Sequence, residues 1–457
     1  MYTWSSAEIE YMDGGTGFLR QLGGMHLKIG NCTGLNPGQY ATISNQQQVM
    51  ETLGKGPLAE ACLDSIQKQG GIITVVAAEA SVQGEATEVQ HEGEGAAQFE
   101  KSGNPHGEYD VIVEVTKSGA LNEAQYRLSL DGGENFSRIR TFPSDGEVDT
   151  ETGVKLTFTE AVEPGDSFAE GDTYNFKTTP PSMSNQDFLD AIDVLKNNNF
   201  TYEFIHVVGP TSQALWSVCA TEADELEAVA VPTFFVCETR NKDAEESMDE
   251  YVQALIEERG EFAHERICVV AGRLQLADLR GRLPERNAGA TCAAIIAQSD
   301  IQESAGKVRS FNLAPPAQRI TPEGFTNDHA RMLHGEGFTV CRTYNQYPGI
   351  YIEEANLMSL PGSDYRYVKD RRLADTAARV AYQAGMFYLK SEITEDDIDN
   401  LKANMEEPLE QLIQNGNMQG YTLQLESSGN EELVFDLAVQ EIATMRRFKT
   451  KIRLERG

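Results

Sequence analysis

The spacing of apolar residues along the chain changes at residues 81–181, and this change constrains the fold more than any other feature of the sequence. Apolar side chains occupy alternate positions there in four runs, at residues 109–116, 124–130, 154–158 and 174–176. Glycine and aspartate separate the runs, as in Asp131-Gly132-Gly133. Because a period of two is typical of half-buried strands and these residues favour tight turns, we predict an antiparallel sandwich or barrel.

The sequence on either side alternates short β-rich runs with helical runs. The β-rich runs are His26–Ile29, Ile72–Val76, Phe204–Val208, Thr233–Cys237 and Ile267–Ala271, and the helical runs include residues 58–69, 187–196, 211–229 and 288–297. Such alternation predicts a mostly parallel sheet with helices on both faces. We therefore predict a central α/β domain at residues 25–80 and 182–324, into which an all-β domain at residues 81–181 is inserted.

From about Phe325 the pattern becomes α+β. A helical stripe is formed by Leu373, Ala377, Val380, Ala384 and Phe387. Thr394 and Asp397 have the spacing of a capping box that opens a second helix. We expect Pro408 to kink that helix, because proline removes a backbone donor and clashes with the preceding turn. Two strand runs, 421–425 and 433–439, complete a C-terminal α+β domain predicted at residues 325–445.

Both ends of the chain are predicted to be extended arms. Residues 1–24 lack a helical or strand period, and we treat them as an N-terminal arm. Residues 446–457 alternate apolar with basic side chains and hold six basic residues and one acidic residue. We predict that this C-terminal arm is a strand with one apolar face and one basic face.

The formal charge excludes several classes of partner. The chain has 71 acidic and 38 basic residues, which gives −33 with histidine neutral. So acidic a surface repels phosphate, and we therefore expect neither nucleic acid nor an anionic membrane as a partner. Residues 86–179 hold 19 acidic and seven basic side chains, which makes the insert one of the acidic regions.

The sequence predicts neither a signal peptide nor a transmembrane segment. Residues 1–20 contain three acidic side chains and no apolar run, and no stretch reaches about 18 uninterrupted apolar residues. The seven cysteines are scattered and form no CxxC pair, which favours reduced core thiols. The alternative is that one exposed thiol crosslinks neighbouring copies.

Motifs for catalysis and metal binding are missing from the sequence. Gly54-Lys55-Gly56 lacks the spacing of a phosphate-binding loop, and the GxSxG and HExxH patterns do not occur. His329 and His334 are five residues apart and do not share a helix face. The acidic stretch 145–151 lacks a full calcium-binding loop and is better explained as a solvated turn. We predict no enzyme, no cofactor and no metal.

Three regions together resemble the contractile tail sheath proteins of phages and related injection machines. They are Gly54–Ala59 with Gln69–Val76, Gly107–Val111 through Ser129–Gly133 to Gly171–Tyr174, and Leu333–Val340 with Tyr365–Arg372. The resemblance implies a central domain of subtilisin-like topology, yet no hydrolase signature is present, so the likeness concerns topology and not activity.

The resemblance also implies a helical homopolymer around a tail tube, with six-fold rings and with baseplate and tail terminator proteins as further partners. Arms of neighbouring subunits would pair into shared sheets. The residues assigned to this inter-subunit arm contact are Tyr2, Trp4, Ile9, Tyr11, Arg446, Arg447, Phe448, Lys449, Lys451, Ile452, Arg453 and Leu454. The alternative for the terminal strand is an ordinary edge strand that pairs within its own subunit.

In similar sheaths a late helix contacts the tube. This points first to Asp396, Asp397, Asp399, Lys402 and Glu406, and second to the paired-arginine helix with Lys369, Arg371 and Arg372. The alternative for both sets is an ordinary solvated helix face.

The function expected from the sequence is therefore structural. We expect a virion tail protein, assembled in the host cytoplasm, whose sheath shortens and drives the tube through the target envelope. Two other classes stay open. One is an extracellular β-rich adhesin or carbohydrate-binding protein that uses the acidic insert. The other is an unrecognised hydrolase, which would have to use His206 or Ser212.

Overall fold

The computed structural model describes residues 24–68, 71–198, 200–279, 281–390, 394–428, 433–446 and 450. The described chain divides between Arg372 and Leu373 into two compact units. Among the described residues, no helix is both long enough and apolar enough to cross a membrane.

The first unit begins with strands and helices that belong to its main sheet. They are β1 (His26–Gly30), β2 (Tyr40–Ile43), α1 (Gln46–Gln48), α2 (Pro57–Lys68) and β3 (Ile73–Ala77). A π-helical turn at Val49–Leu53 lies between α1 and α2. Strand β1 is buried along its whole length, as expected for a central strand of a parallel sheet.

The next eight strands form two antiparallel sheets. They are β4 (Gln90–Glu92), β5 (Gln98–Ser102), β6 (Tyr109–Lys117), β7 (Gln125–Ser129), β8 (Arg140–Thr141), β9 (Glu147–Asp149), β10 (Lys155–Thr159) and β11 (Thr173–Thr178). The strand orders are β5-β10-β9 and β4-β11-β6-β7-β8. Inward side chains of both sheets share one buried cluster, in which the rings of Phe142 and Phe168 stack with centroids 4.0 Å apart.

After these sheets the chain returns to alternating helices and strands. In chain order they are α3 (Asn185–Lys196), β12 (Phe204–Pro210), α4 (Gln213–Ala228), β13 (Phe234–Glu238), α5 (Met248–Arg259), β14 (Ile267–Ala271), β15 (Arg273–Leu276), β16 (Glu285–Asn287), α6 (Gly289–Gln298), β17 (Ala317–Thr321), α7 (Asn327–Gly335), β18 (Thr339–Tyr344) and β19 (Tyr347–Ile352). Capping boxes begin α3, α5 and α7.

The main sheet has the order β19-β18-β14-β13-β12-β1-β3-β2. Its inner pairs are parallel, and the edge strands β2 and β19 pair antiparallel with their neighbours. Side chains on one face pack with α3, α4, α5 and α7, and those on the other face pack with α2 and α6. The predicted mixed α/β fold is confirmed. A further small sheet, β16-β15-β17, is antiparallel.

Polar contacts attach the acidic insert, which lies between β3 and β12 in the chain, to the rest of the first unit. Glu108 pairs with Arg273 at 2.7 Å. The backbone N–H of Leu283 donates to Asp131 Oδ2 at 3.0 Å, and Lys55 Nζ donates to the backbone oxygen of Glu151 at 2.9 Å. The insert is therefore held by several bonds on different elements.

The second unit contains two long helices and a hairpin. Helix α8 (Val368–Tyr388) starts in the first unit, and α9 (Glu395–Gln414), β20 (Gly420–Ser428) and β21 (Leu433–Gln440) follow. The predicted capping box of Thr394 and Asp397 is present at the start of α9. Pro408 lies inside α9, and the helix continues past it to Gln414.

Candidate functional surfaces and a buried polar network

Three charged or titratable side chains lie side by side in the middle of the main sheet. They come from adjacent strands: Lys28 from β1, His206 from β12 and Glu238 from β13. Lys28 Nζ is 2.8 Å from His206 Nδ1, and His206 Nε2 is 2.8 Å from Glu238 Oε1. Since an ammonium group only donates, Nδ1 accepts from Lys28 and Nε2 carries the proton donated to Glu238. A neutral imidazole therefore bridges a cation and an anion.

Burial sets the protonation of this network. Burial, aided by the positive charge of Lys28, lowers the pKa of His206 to about 4, so the ring is neutral at pH 7. Burial also lowers the pKa of Lys28 to about 8, against the opposing effect of nearby acidic groups. Burial would raise the pKa of Glu238, but the hydrogen bonds from His206, Asn287 and the Gly209 backbone outweigh it and keep the pKa low.

The Glu238 carboxylate fills the position where α/β proteins commonly bind ligands. Strand order reverses between β1 and β12, and such a switch point opens a crevice at the carboxyl ends of the strands. Glu238 Oε2 accepts from the Gly209 N–H at 3.1 Å and from Asn287 Nδ2 at 3.2 Å. Gly289, the first residue of α6, lies so close that a Cβ there would overlap the carboxylate. The Glu238 carboxylate therefore lies directly beside the start of α6.

A small cleft of about 70 Å³ lies beside Glu238 and is lined among others by Asp64 and Arg286. Arg286 Nη1 donates to Asp64 Oδ1 at 2.6 Å. Burial raises the pKa of Asp64 to about 6 even though Arg286 opposes that rise. The cleft holds a few water molecules at most and is far smaller than an ordinary ligand pocket.

The hydrolase alternative finds no support in this geometry. Both ring nitrogens of His206 are engaged by Lys28 and Glu238, so neither is available to activate a nucleophile. Ser212 is exposed at the start of α4 and makes no capping bond with its side chain. The sequence did carry a signal for the network, because Lys28, His206 and Glu238 each interrupt or end an otherwise apolar strand.

The histidines and acidic residues considered as metal ligands have other partners. His329 Nε2 is 2.9 Å from Asp249 Oδ1, and His334 Nδ1 is 2.9 Å from Asn356 Nδ2. Asp145 and Asp149 accept hydrogen bonds from backbone N–H groups two residues later. Within the part of the chain that the structure describes, no three histidine, cysteine, aspartate or glutamate side chains form a group suited to a metal ion.

The cysteines are free thiols, and six of them are buried. Cys32 is half-buried. The interpretation as core thiols therefore fits six of the seven positions.

The start of helix α8 is not the exposed tube-facing surface that the sequence suggested as second choice. Lys369 and Arg372 are buried, so this part of the prediction is wrong. Arg372 makes a bidentate ion pair with buried Glu203, at 2.6 and 2.9 Å, and its Nη1 donates to the backbone oxygens of Ile296 and Ser299. Arg371 pairs with Glu227 at 2.9 Å. These side chains fasten the start of α8 within the first unit.

Helix α9 presents the first-choice residues in accessible positions. Asp396 and Asp399 are exposed, and Lys402 and Glu406 form a half-exposed pair at 3.7 Å. Asp397 completes the capping box, and hydrogen bonds from Thr394 lower its pKa. The opposite side of α9 packs through Leu401 and Met405 against the hairpin.

The hairpin of β20 and β21 is a sheet of two strands in the described chain. Cross-strand pairs such as Leu423 with Leu437 place apolar side chains on one face, which contributes to the cluster with α8 and α9. Each strand therefore has one edge to which no described strand is bonded.

Most of the predicted arm lies outside the described residues. This applies to Tyr2, Trp4, Ile9, Tyr11, Arg447, Phe448, Lys449, Lys451, Ile452, Arg453 and Leu454. Arg446 is described and is exposed.

Comparison with known families decides the affiliation of the chain. Residues 4–356 match the family described as DUF2586, N-terminal domain. The chain belongs to the DUF2586 family.

This DUF2586 protein also matches a protein of Haemophilus phage HP1 (strain HP1c1) that is provisionally named a tail sheath protein. The two are 24% identical over 208 residues, which is 43% of this chain and 54% of the phage protein. The chain thus spans about half the length of the curated relative it matches.

Solved sheath structures share the fold of the DUF2586 protein. The helical sheath of the anti-feeding prophage in its contracted state has a TM-score of 0.56 at 12% identity, with all of both chains covered. The contracted PVC sheath complex of an extracellular contractile injection system has a TM-score of 0.57 at 10% identity, with 100% and 98% covered. A sheath tail protein of Desulfitobacterium hafniense reaches 0.50 at 14% identity, with 94% and 100% covered. The resemblance to contractile tail sheath proteins is confirmed.

Proposed function

We propose that this chain is a structural protein that polymerises helically around a tail tube as a contractile sheath. The observation that carries the proposal is the likeness to contracted sheath chains along the whole length of both chains. The filled switch-point crevice supports a structural rather than a catalytic role, because the protein's own Glu238 occupies the usual ligand position.

The C-terminal arm is the proposed link between subunits. The open edges of β20 and β21 offer unpaired backbone groups to a further strand. A donated strand of residues 446–454 would gain main-chain hydrogen bonds, and its basic side chains would meet a unit rich in acidic residues. Head-to-tail donation of this kind does not close on itself and generates a helical assembly.

The acidic outer side of α9 is the proposed tube-facing surface, with Asp396, Asp399, Lys402 and Glu406 as contact residues. Their support is accessibility, since the helix is anchored by its apolar side and leaves these side chains free to meet a partner. The tail tube, baseplate and terminator proteins, and six-fold rings, belong to the same proposal, as does a place in a virion tail.

The proposed domain organisation follows the predicted boundaries, with a central sheet of subtilisin-like topology at residues 25–80 and 182–324. The insert at 81–181, the α+β domain at 325–445 and the two arms complete it.

In the proposed mechanism the extended lattice is kinetically trapped, and rigid-body rotation of subunits releases it into a shorter, wider lattice. A few kcal/mol per subunit, the usual scale of coupling between sites, then sums over many copies.

Deleting residues 446–457 tests the strand donation. We expect a folded monomer that no longer polymerises, because the donated strand and its basic charges are lost. Negative-stain microscopy and sedimentation velocity measure the assembly, and circular dichroism checks the fold. Tubes that form as well as those of the unaltered chain would contradict the arm proposal.

A matched variant separates charge from backbone pairing. With Lys449→Gln and Lys451→Gln the strand can still pair, so we expect tubes whose formation depends less on salt than in the unaltered chain. If the unaltered chain gives only dispersed particles under all assembly conditions, and these bind glycans, the adhesin class replaces the sheath proposal.

A further inference from the structure

A cleft of about 460 Å³ opens between β17, the start of α7 and the strands β18 and β19. Ile320, Phe325 and Ile350 supply apolar side chains to its wall, and Arg319 is the one charged residue among the described residues that line it. Its volume lies within the roughly 300–1,000 Å³ of ordinary binding pockets, unlike that of the cleft beside Glu238. We call it the Arg319 cleft.

The charge around the Arg319 cleft is opposite to that of the chain as a whole. Residues 305–322 and 337–352 supply most of its lining and contain four basic side chains and no acidic one. The side chain of Arg319 is 52% exposed, and its ion pair with Glu285 is long, at 3.7 Å. The guanidinium can therefore donate to a second carboxylate. A partner that fits this cleft combines a small apolar side chain with negative charge.

One loop of the insert presents this combination. Val162 is 99% exposed, more than any other large apolar side chain in the described part of the chain. Glu160 and Glu163 flank it, and residues 160–172 contain five acidic side chains and no lysine or arginine. Glu163 is exposed as well. We call residues 160–166 the Val162 loop, and it complements the Arg319 cleft in both apolar and ionic character.

Hydrogen bonds within the insert hold the Val162 loop in place. The backbone N–H of Leu121 donates to Glu160 Oε1 at 2.8 Å, and that of Ala161 donates to Ser167 Oγ at 3.0 Å. Because these bonds fix the backbone beside Val162, little conformational entropy is lost when its side chain enters an interface. A preorganised loop binds more tightly than a mobile one that makes the same contacts.

The Val162 loop does not meet the Arg319 cleft of its own copy. Both belong to the first unit, yet Val162 is almost fully exposed, and no residue of the loop is among the described residues that line the cleft. Glu108, Asp131 and Glu151 also attach the insert to the rest of this unit, so the separation is fixed. A partner for the cleft must therefore come from another molecule, and the loop of a second copy has the matching chemistry.

We propose that the Arg319 cleft of one copy binds the Val162 loop of another copy. The Val162 side chain packs on the apolar wall of the cleft, and the Glu163 carboxylate pairs with Arg319. This proposal rests on the homopolymer proposed above and adds a contact between first units that does not involve the arms. Since the two surfaces differ, the contact is head-to-tail, as a helical assembly requires.

Photo-crosslinking in the full-length chain tests the contact. The photoreactive residue p-benzoylphenylalanine replaces Gln318, an exposed residue of the cleft wall, and isotope-labelled and unlabelled copies are mixed before assembly and irradiation. Mass spectrometry then maps the crosslinked peptides. We expect crosslinks from position 318 to residues 160–166 that join a labelled to an unlabelled copy.

Exchanging the two charges tests the ion pair. Glu163→Arg should lower the crosslink yield at least fivefold, because two cations then face each other, and adding Arg319→Glu to the same chain should restore it. A yield that stays low in the doubly altered chain would contradict the pairing. Val162→Ser should lower the yield at least threefold, and the matched variant Ile139→Ser, at a side chain 58% exposed elsewhere in the insert, should leave it unchanged. Circular dichroism checks that each variant keeps its fold.

A control carries the photoreactive residue in place of Met332, which is exposed on α7 and does not line the cleft, and should give no crosslink to residues 160–166. Crosslinks that stay within one copy, or that join position 318 to a different segment, would overturn the proposal. The same holds if no crosslink forms, as expected when a small anionic ligand fills the cleft. Negative-stain microscopy separates the two proposals. Tubes without the 318-to-loop crosslink refute this inference alone, the crosslink without tubes refutes the sheath alone, and a chain that forms neither refutes both.

Discussion

Side chains at the switch point of the main sheet are buried and paired, whereas side chains at the end of helix α8 are exposed. At the switch point, Lys28, His206 and Glu238 are buried, and each has a partner within 2.8 Å. At the end of α8 the side chains of Tyr382, Met386, Phe387 and Leu389 are exposed, and the hairpin has strand edges without a described partner. The first region is complete within one chain, and the second offers surfaces that another chain can cover.

This difference assigns separate tasks to the two regions. Lys28, His206 and Glu238 satisfy one another within the centre of the main sheet, so these groups need no partner from another chain. A small unit with open edges and exposed apolar side chains gains stability from association. Substitutions at the switch point should therefore affect folding, and substitutions in the second unit should affect assembly.

The largest effect is expected when a buried ion pair in the first unit is broken. Arg372→Ala leaves the Glu203 carboxylate buried without its bidentate partner, which should lower the free energy of unfolding by about 3–5 kcal/mol. The matched variant Lys402→Ala removes one member of the half-exposed pair on α9 and should change it by less than about 0.5 kcal/mol. Denaturant titration measures both. Equal effects would contradict the contrast between the units.

The pH dependence of unfolding is the next test. The folded pKa of His206, about 4, lies below its ordinary value of 6.5. Between these values the unfolded chain takes up a proton that the folded chain does not, so the free energy of unfolding falls as the pH falls. The loss amounts to about 3 kcal/mol for the full window and is complete near pH 4. Asp64, whose pKa is raised to about 6, acts in the opposite direction.

The substitution His206→Gln keeps a hydrogen-bond donor and an acceptor but removes the titrating ring. The free energy of unfolding of this variant should therefore vary less between pH 6.5 and 4 than that of the unaltered chain. Lys28, Glu238 and Asp64 remain in both proteins, which makes the comparison specific to the ring. Hydrogen exchange followed by mass spectrometry reports β12 and the hairpin separately. The second unit contains no histidine, so the difference between the two proteins should be confined to the first unit. If hydrogen exchange at β12 depends on pH in the same way in both proteins, the assignment of His206 as a neutral imidazole between Lys28 and Glu238 is refuted.

The smallest expected change in stability comes from replacing either of two helical glycines with alanine. At Gly289 a new Cβ overlaps the Glu238 carboxylate, so Gly289→Ala should destabilise the protein by about 1–3 kcal/mol. At Gly385 in α8 no atom lies within 4 Å of the same Cβ, and Gly385→Ala should stabilise by about 0.5–1 kcal/mol. Thermal unfolding measures the two shifts. A stabilising Gly289→Ala would show that the Glu238 carboxylate moves aside without loss.

Local periodicity predicted much of the fold because each element carries its own pattern. The run Ile267–Ala271 is a strand with those bounds, and the helix expected at 187–196 spans Asn185–Lys196. The capping box of Thr394 and Asp397 is recognisable in the sequence for the same reason, because its two residues are only three positions apart.

Contacts between distant residues were not predictable in this way. Lys28 and His206 are 178 positions apart, and Arg372 and Glu203 are 169 apart. Strand order decides which of them meet, and a single sequence does not specify that order. For the same reason the sequence predicts a surface at the start of α8, because paired arginines are normally exposed unless a distant carboxylate pairs with them.

The bonds that attach the insert have a mechanical consequence. Glu108, Asp131 and Glu151 are held by Arg273, the Leu283 backbone and Lys55, which belong to separate segments of the first unit. Swinging the insert about any one of these bonds would break the other two. A sideways load on the insert is therefore transmitted through all three contacts to the loops and the small β16-β15-β17 sheet of the first unit. The insert is therefore expected to move together with the rest of the first unit rather than to rotate independently of it.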